Sequence, residues 1–142
     1  MRVMSESEWR AFVTEGTRTG KLATTRLDGR PHVAPIWFDL DDDGTVVFTT
    51  GADTLKGKAL HRDPRVAMCV DDEAPPFAFV LIEGTAELSE DPGLLLEWAT
   101  RIGARYMGAE MAEAYGKRNA VPGELLVRVT PTHVVARAEI AD

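Results

Sequence analysis

The sequence predicts a mainly β fold, a small closed or split barrel of antiparallel strands with helices packed outside it. Three observations support this prediction. Strand-like segments outnumber helical ones, most of them follow one another through tight turns, and strand and helix do not alternate regularly. A dinucleotide- or nucleotide-binding parallel sheet is disfavoured, because the chain has no Gly-x-Gly-x-x-Gly and no Gly-Lys-Ser/Thr after a strand.

The first part of the chain is predicted as one helix and three strands. Ser5 and Glu8 fit a capping box, and apolar residues at helical spacing continue the helix to near Gly16. Three strands follow, at 21–26, 32–40 and 45–50. Turns at Asp28-Gly29 and at residues 41–44 join them, so we expect an antiparallel meander over residues 21–50.

The rest of the chain alternates short helices with further strands. Asp53 can cap a helix over 54–62, and Asp63-Pro64 ends that helix because the residue before a proline leaves the helical region. Asp91-Pro92 is typical of a helix start, and Gly84 inside a strand predicts a bulge. The later elements are predicted as strands 65–71 and 77–88, helices 92–107 and 108–117, and strands 125–130 and 133–138.

Length and charge bound the functions open to the chain. Its 142 residues can bury one core, and no linker divides them, so we expect a single domain over residues 1–142. A net charge of −7 argues against duplex nucleic acid and anionic membrane surfaces as partners. The longest apolar run, 77–82, is too short to span a membrane, and the start of the chain has no signal-peptide pattern. We therefore expect a cytoplasmic protein.

Protein-borne catalytic and metal sites find no support in the residue pattern. Cys69 is the only cysteine, and the three histidines are too scattered to predict a metal site. Residues 39–44 resemble the start of a calcium loop, but the twelfth position is Thr50 instead of glutamate, so we interpret them as a turn. No nucleophile motif or acid/base pair is present, so the catalytic residues stay unknown. An enzyme of this sequence would rely on a cofactor for its chemistry.

A basic segment at 56–65 is the most informative feature. It holds four of the sixteen Lys and Arg residues of an otherwise acidic chain, on a short helix after a strand. Lysines beside the backbone N–H groups of a helix start can bind a phosphate, and Gly57 would let another group approach closely. A solvated helix face is the alternative interpretation.

Two further patterns are compatible with a bound heterocycle. The hydroxyl pairs Thr24-Thr25 and Thr49-Thr50 fit the polar rim of such a ring, although strand propensity alone explains them as well. The segment 35–38 is apolar and follows a proline. It can pack on an aromatic cofactor, belong to the core or form a dimer interface.

Taken in order, six motifs resemble one family over nearly the whole chain. They are GKLATT (20–25), DGRPH (28–32), PIWF (35–38), KGKALHRDPRV (56–66), EGTA (83–86) and RVTP (128–131). The set resembles the pyridoxamine 5′-phosphate oxidase-like, FMN-binding split-barrel superfamily, and is most similar to its actinobacterial deazaflavin (coenzyme F420)-dependent reductases. The tail 132–137 lacks the Arg-x-His substrate motif of true pyridoxamine phosphate oxidases, so the vitamin is not the expected substrate.

The resemblance implies a six-stranded antiparallel split barrel that forms a homodimer with its cofactor in a groove at the interface. It implies hydride transfer from reduced coenzyme F420 to an electron-poor organic small molecule. An FMN-dependent oxidoreductase and a non-catalytic flavin- or haem-binding protein remain alternatives. The cofactor ring would lie along 32–38, its phosphate would meet the 56–58 helix, and the partner subunit would supply a wall near Phe77. The implied cofactor-binding residues are His32, Val33, Ala34, Pro35, Ile36, Thr49, Thr50, Lys56, Gly57, Lys58 and Phe77.

Overall fold

Six strands of at least six residues form one antiparallel sheet, which two strands of two residues each extend. The computed structural model describes all residues, 1–142. Its elements are β1 (Arg2–Val3), α1 (Glu6–Thr14), β2 (Gly20–Thr25), β3 (Pro31–Ile36), β4 (Asp39–Leu40), β5 (Val46–Gly51), α2 (Leu55–Arg62), β6 (Arg65–Asp72), β7 (Ala78–Ser89), α3 (Pro92–Met107), a 3-10 helix (Ala109–Met111), α4 (Ala112–Asn119) and β8 (Glu124–Ala138).

The sheet curls on itself because its two outer strands are consecutive in the chain. The strand order is β3-β2-β6-β7-β8-β5-β4, and β1 pairs with β8. Only Trp37 and Phe38 separate β3 from β4, so the two edges of the sheet must meet at this corner. This arrangement confirms the predicted mainly β split barrel with peripheral helices. The predicted count of six strands is met by the six long ones, and β1 and β4 are additional.

The predicted meander over residues 21–50 is wrong at its centre. The expected strand 32–40 breaks at the corner, so that β3 pairs only with β2, and β4 pairs with β5. The physical reason lies in two prolines. Pro31 and Pro35 have no N–H to donate to a second neighbouring strand, which confines β3 to the edge of the sheet.

The predicted bulge at Gly84 is confirmed, and it changes the end of the chain. The register between β7 and β8 shifts at this point, and Thr132 is left without a partner residue. A Cβ on Gly84 would lie 2.5 Å from the Thr130 carbonyl oxygen, so glycine is required for this close approach. Because the bulge accommodates Pro131, the two strands predicted at 125–130 and 133–138 form one continuous strand, β8.

Two apolar clusters hold the fold together. The larger one fills the barrel and includes the fully buried Phe38, Phe48 and Leu60. Leu60 belongs to α2, so this helix is anchored in the barrel core. A smaller cluster between α3 and the outer side of the sheet joins Leu95 and Trp98 to strands β5 and β8. None of the helices combines the length and the apolarity that crossing a membrane would need.

Candidate functional site

An open slot lies between the edges of β3 and β5. β3 has no partner on the side away from β2, and β5 pairs with β4 only through Val46 and Val47. Residues 31–36 and 48–51 therefore form two unpaired edges that start at the Trp37–Phe38 corner. The edge of β3 is about 17 Å long. Helix α2 packs against both β5 and β2, so it crosses the end of the slot far from the corner. We call this region the barrel slot.

Few backbone N–H groups face the barrel slot. The Arg26 N–H donates to the Arg30 carbonyl oxygen at 2.8 Å, so these two residues form a hydrogen-bonded pair of the β2–β3 hairpin. Along an antiparallel hairpin every second residue pair is hydrogen-bonded in this way. By that alternation residues 32, 34 and 36 bond to β2, and residues 31, 33 and 35 face the slot. Since 31 and 35 are prolines, Val33 supplies the only N–H on the β3 edge, beside three carbonyl groups.

The opposite wall follows the same rule. The Ala52 N–H donates to the Gly123 carbonyl oxygen at 2.8 Å, so alternate residues of β5 bond to β8. The remaining residues, Thr49 and Gly51, turn their backbone groups toward the slot. The Gly51 carbonyl oxygen accepts the Thr54 hydroxyl at 2.7 Å. The two walls therefore offer N–H donors to a bound group from opposite sides.

The side chains of the predicted site residues lie on both faces of the slot. Alternation places His32, Ala34 and Ile36 on the interior face of β3, and Val33 and Pro35 on its outer face, where Val33 is 66% exposed. On β5, Thr50 faces the interior and is buried, whereas Thr49 is half-buried on the side that carries α3. The structure thus brings these seven residues to one slot.

Helix α2 is seated directly on the end of β5. The Thr54 hydroxyl caps it by accepting the Gly57 N–H at 3.1 Å. A Cβ on Gly57 would lie 2.2 Å from the Gly51 carbonyl oxygen. The close approach that the sequence predicts for Gly57 is therefore present, and the group that approaches is the backbone of β5.

Two lysines on α2 form no ion pair. Of the four lysines, Lys21 pairs with Asp71 at 2.9 Å and Lys117 pairs with Glu113 at 2.9 Å, whereas Lys56 and Lys58 form no ion pair. Burial raises the pKa of Glu124, and nearby Lys56 opposes that rise. Lys56 and Lys58 are therefore available to bind an anion.

The rest of the basic segment is partly engaged. Arg65 forms a bidentate pair with Asp63, with a distance of 2.8 Å between Nη2 and Oδ2, and this contact lowers the pKa of Asp63 to about 2. Arg62 forms no ion pair. Arg65 is the first residue of β6 and is exposed, so a solvated surface position describes it better than a role at the slot.

Two buried polar atoms next to the slot have no partner. They are His32 Nδ1 and Thr24 Oγ1, and their residues face each other across the β2–β3 pair. A buried polar atom without a hydrogen bond is costly, so such atoms mark places where a ligand or water is accommodated. His32 lies near the α2 end of β3. Polar atoms and two lysines without an ion pair thus lie at this end, whereas Pro35 and Ile36 make the corner end apolar.

This polarity fits a cofactor that has an aromatic ring at one end and a phosphate at the other. The phosphate would suit Lys56 and Lys58, and the ring edge would suit the N–H groups of Val33 and Thr49. The structure contains no group of three or more His, Cys, Asp or Glu side chains placed to hold a metal ion.

Phe77 lies apart from the barrel slot of its own chain. It is 40% exposed and lines a separate groove of about 460 Å³ with residues of α1 such as Phe12. The resemblance assigns Phe77 to the wall supplied by a partner subunit. This assignment stays a prediction, because one chain alone does not test it.

The corner of the slot depends on two residues of α3 that sequence reasoning did not single out. Arg105 donates hydrogen bonds to the carbonyl oxygens of Val13, Gly16, Arg18 and Phe38. The Tyr106 hydroxyl donates to the Arg18 carbonyl oxygen at 2.7 Å and accepts the Phe38 N–H at 3.3 Å. Burial raises the pKa of Tyr106 and lowers that of Arg105. The only indication of these contacts in the sequence is an arginine that comes at the end of the apolar face of α3.

The outer face of the sheet carries small and apolar side chains that no helix covers extensively, with Lys21 next to Cys69 and Glu83 next to Ala67. Register places Ala23 beside Ala67, and Cys69 beside Leu81 and Val135. All five are half-buried. We call this surface the outer sheet face.

Comparison with known proteins places the chain in a family. The family model described as pyridoxamine 5′-phosphate oxidase matches residues 5–138. A reductase of 5a,11a-dehydrotetracycline and 5a,11a-dehydrooxytetracycline from Streptomyces rimosus is 33% identical over 75 residues, and the match covers 48% of this chain and 53% of the relative. The chain thus spans about half the length of this curated relative.

Solved structures extend the likeness over the whole fold. The conserved hypothetical protein Rv2991 from Mycobacterium tuberculosis is 31% identical, with a TM-score of 0.84 over 96% of this chain and 86% of that one. A protein named F420 reductase is 26% identical, with a TM-score of 0.72 over 87% and 94%. The heme storage protein HutZ from Vibrio cholerae, 21% identical with a TM-score of 0.74 and full coverage of both chains, shares the fold alone. The chain belongs to the pyridoxamine 5′-phosphate oxidase family.

Proposed function

We propose that this chain is an oxidoreductase that binds coenzyme F420 in the barrel slot and serves hydride transfer to an electron-poor organic small molecule. The observation that carries the proposal is the polarity of the slot, with two unpaired lysines at one end, an apolar corner at the other and free N–H groups between them. Relatives named as reductases of dehydrotetracycline and as F420 reductase support this choice. A cytoplasmic location is part of the proposal.

The chain contributes binding and orientation. Lys56 and Lys58 would hold the phosphate, Val33 and Thr49 would donate to the ring edge, and Pro35 and Ile36 would keep water from one side of it. When bound, the deazaflavin supplies the hydride.

The first test is which cofactor the purified protein binds. FMN ends at its phosphate, whereas coenzyme F420 continues into an anionic tail. Lys58 and Arg62 have no ion pair and lie on the helix that would receive the phosphate. We expect coenzyme F420 to bind more tightly than FMN in fluorescence titrations. We also expect its advantage to shrink as salt rises, because exposed charges are screened beyond about 8 Å at physiological salt.

Equal or tighter binding of FMN at low salt would overturn the choice of deazaflavin. It would favour an FMN-dependent oxidoreductase, which would bind FMN in the same slot and hold its phosphate with the same lysines. Tight binding of haem together with no binding of either flavin would overturn the reductase and favour a carrier protein.

We also propose that two copies associate through the outer sheet face. The five small and apolar side chains of this face come from four strands and are half-buried, and Lys21 and Glu83 lie beside them, so the face combines an apolar patch with charged neighbours, as an interface between copies does. Light scattering at micromolar concentration should give twice the mass of one chain, and Leu81→Asp should give a monomer. A monomeric wild-type protein would contradict the dimer and the placement of Phe77 of the partner subunit beside the cofactor.

A further inference from the structure

Trp37 occupies the corner from which both walls of the barrel slot start. It is the residue between the buried Ile36 and the buried Phe38, so its side chain points out of the barrel. The chain has three tryptophans. Trp9 and Trp98 are 8% and 3% exposed, whereas Trp37 is 36% exposed. A large aromatic side chain is therefore left partly open at the apolar end of the slot.

The ring of Trp37 is held in one orientation. It stacks on Tyr106 with ring centroids 4.9 Å apart and an angle of 5° between the planes, and Tyr115 lies 5.9 Å away at 44°. Tyr106 is itself fixed, because its hydroxyl bonds to both Arg18 and Phe38. The Arg105 guanidinium lies 4.7 Å from the centroid of the Tyr106 ring. An exposed ring that two further aromatic residues and an arginine support is preorganised for contact with a partner.

We propose that Trp37 is a substrate-binding residue that selects planar, electron-poor conjugated molecules by stacking on them. This inference rests on the proposed function, which needs a hydride acceptor close to the cofactor ring. The face of an indole ring is electron-rich and attracts an electron-poor π system laid over it. A flat acceptor at the corner would contact Trp37 while it lies beside the apolar end of the slot, where Pro35 and Ile36 would border the ring of the cofactor.

The test uses 9-fluorenone, a flat and electron-poor ketone, and dicyclohexyl ketone as its saturated, non-planar control. Fluorenone should quench part of the tryptophan emission of the wild-type protein, and the control ketone should not. Equilibrium dialysis should show that Trp37→Leu weakens fluorenone binding about tenfold. Trp37→Phe, which keeps a ring on Tyr106, should stay within about threefold of the wild type.

Titration of the same variants with coenzyme F420 separates the substrate role from two others. We expect both variants to bind the cofactor as the wild type does. Equal losses of F420 and fluorenone binding in Trp37→Leu would overturn the proposal, because Trp37 would then contact the cofactor or only support the fold. Unchanged fluorenone binding in Trp37→Leu would overturn it as well. A wild-type protein that binds no F420 would reject the proposed function itself, and the fluorenone measurements would still decide whether Trp37 is a stacking site.

Discussion

Replacing Arg105 with alanine should destabilise the protein by about 3 kcal/mol, because the side chain serves several carbonyl groups at once. The Arg105 guanidinium donates to the end of α1 through Val13, to the following loop through Gly16 and Arg18, and to the corner of the barrel through Phe38. It also covers the Phe38 ring, 4.7 Å from its centroid. Loss of these contacts would remove the Arg105 donor from the carbonyl oxygens of Val13, Gly16 and Phe38 and free three segments of the chain, although the Arg18 oxygen would keep the Tyr106 hydroxyl as a donor.

Urea unfolding followed by tryptophan fluorescence measures this effect. Arg101→Ala is the matched control, since Arg101 is on the same helix, stacks on Trp98 and makes no hydrogen bond to a carbonyl group. We expect the control to cost less than about 1 kcal/mol. If Arg105→Ala is too unstable to purify, Arg105→Lys should show an intermediate loss. Equal effects of Arg105→Ala and Arg101→Ala would contradict the role assigned to Arg105.

The double replacement Lys56→Ala and Lys58→Ala should weaken binding of coenzyme F420 by about a hundredfold or more, because charge-assisted hydrogen bonds to a phosphate contribute about 1.5–3 kcal/mol each. The fold should be unaffected. Both side chains lie outside the core, and neither forms an ion pair that the substitution would break. Fluorescence titration gives the affinity, and unfolding of the unliganded protein gives the stability.

Lys117→Ala is the control for the loss of positive charge. Lys117 pairs with Glu113 on α4, so its removal changes the net charge without touching α2. We expect this variant to bind coenzyme F420 as the wild type does. Unchanged affinity in the double variant would show that the basic segment is a solvated helix face, which was the alternative interpretation from the sequence.

Local signals explain which elements the sequence predicts well. The capping box at Ser5 and Glu8 and the proline after Asp91 mark the starts of α1 and α3, where the structure has them. The Asp28-Gly29 turn and the Gly84 bulge are equally local, because Gly29 has a positive φ that suits glycine and Gly84 has no Cβ where another backbone approaches closely. Such features need no knowledge of which strands become neighbours.

The barrel slot, by contrast, cannot be predicted without knowing which strands pair. The segment 32–40 has the β-forming residues of one continuous strand, and only the pairing of its two halves with different partners reveals the break at Trp37 and Phe38. Pro31 and Pro35 contain the signal, since prolines four residues apart make one edge of a strand poor in donors. β1 has only two residues and therefore no periodicity to recognise.

The site residues likewise divide into those that the sequence indicates and those whose contacts only the fold reveals. Resemblance and composition led to Lys56 and Lys58, and the structure adds that neither forms an ion pair. Gly57 was expected to allow a close approach, but sequence alone could not say that the approaching group is the Gly51 backbone. The contacts of Arg105 with the corner join positions more than sixty residues apart, which no local pattern reports.

Amide exchange in the presence of coenzyme F420 tests most directly whether the barrel slot is the cofactor site. The Val33 and Thr49 N–H groups face the slot from its two walls and bond to no neighbouring strand. The account predicts that both exchange rapidly in the free protein and become protected when the cofactor is bound, while the exchange of amides in α4 does not change. Protection confined to the groove between α1 and Phe77, with Val33 and Thr49 still exchanging freely, would contradict it.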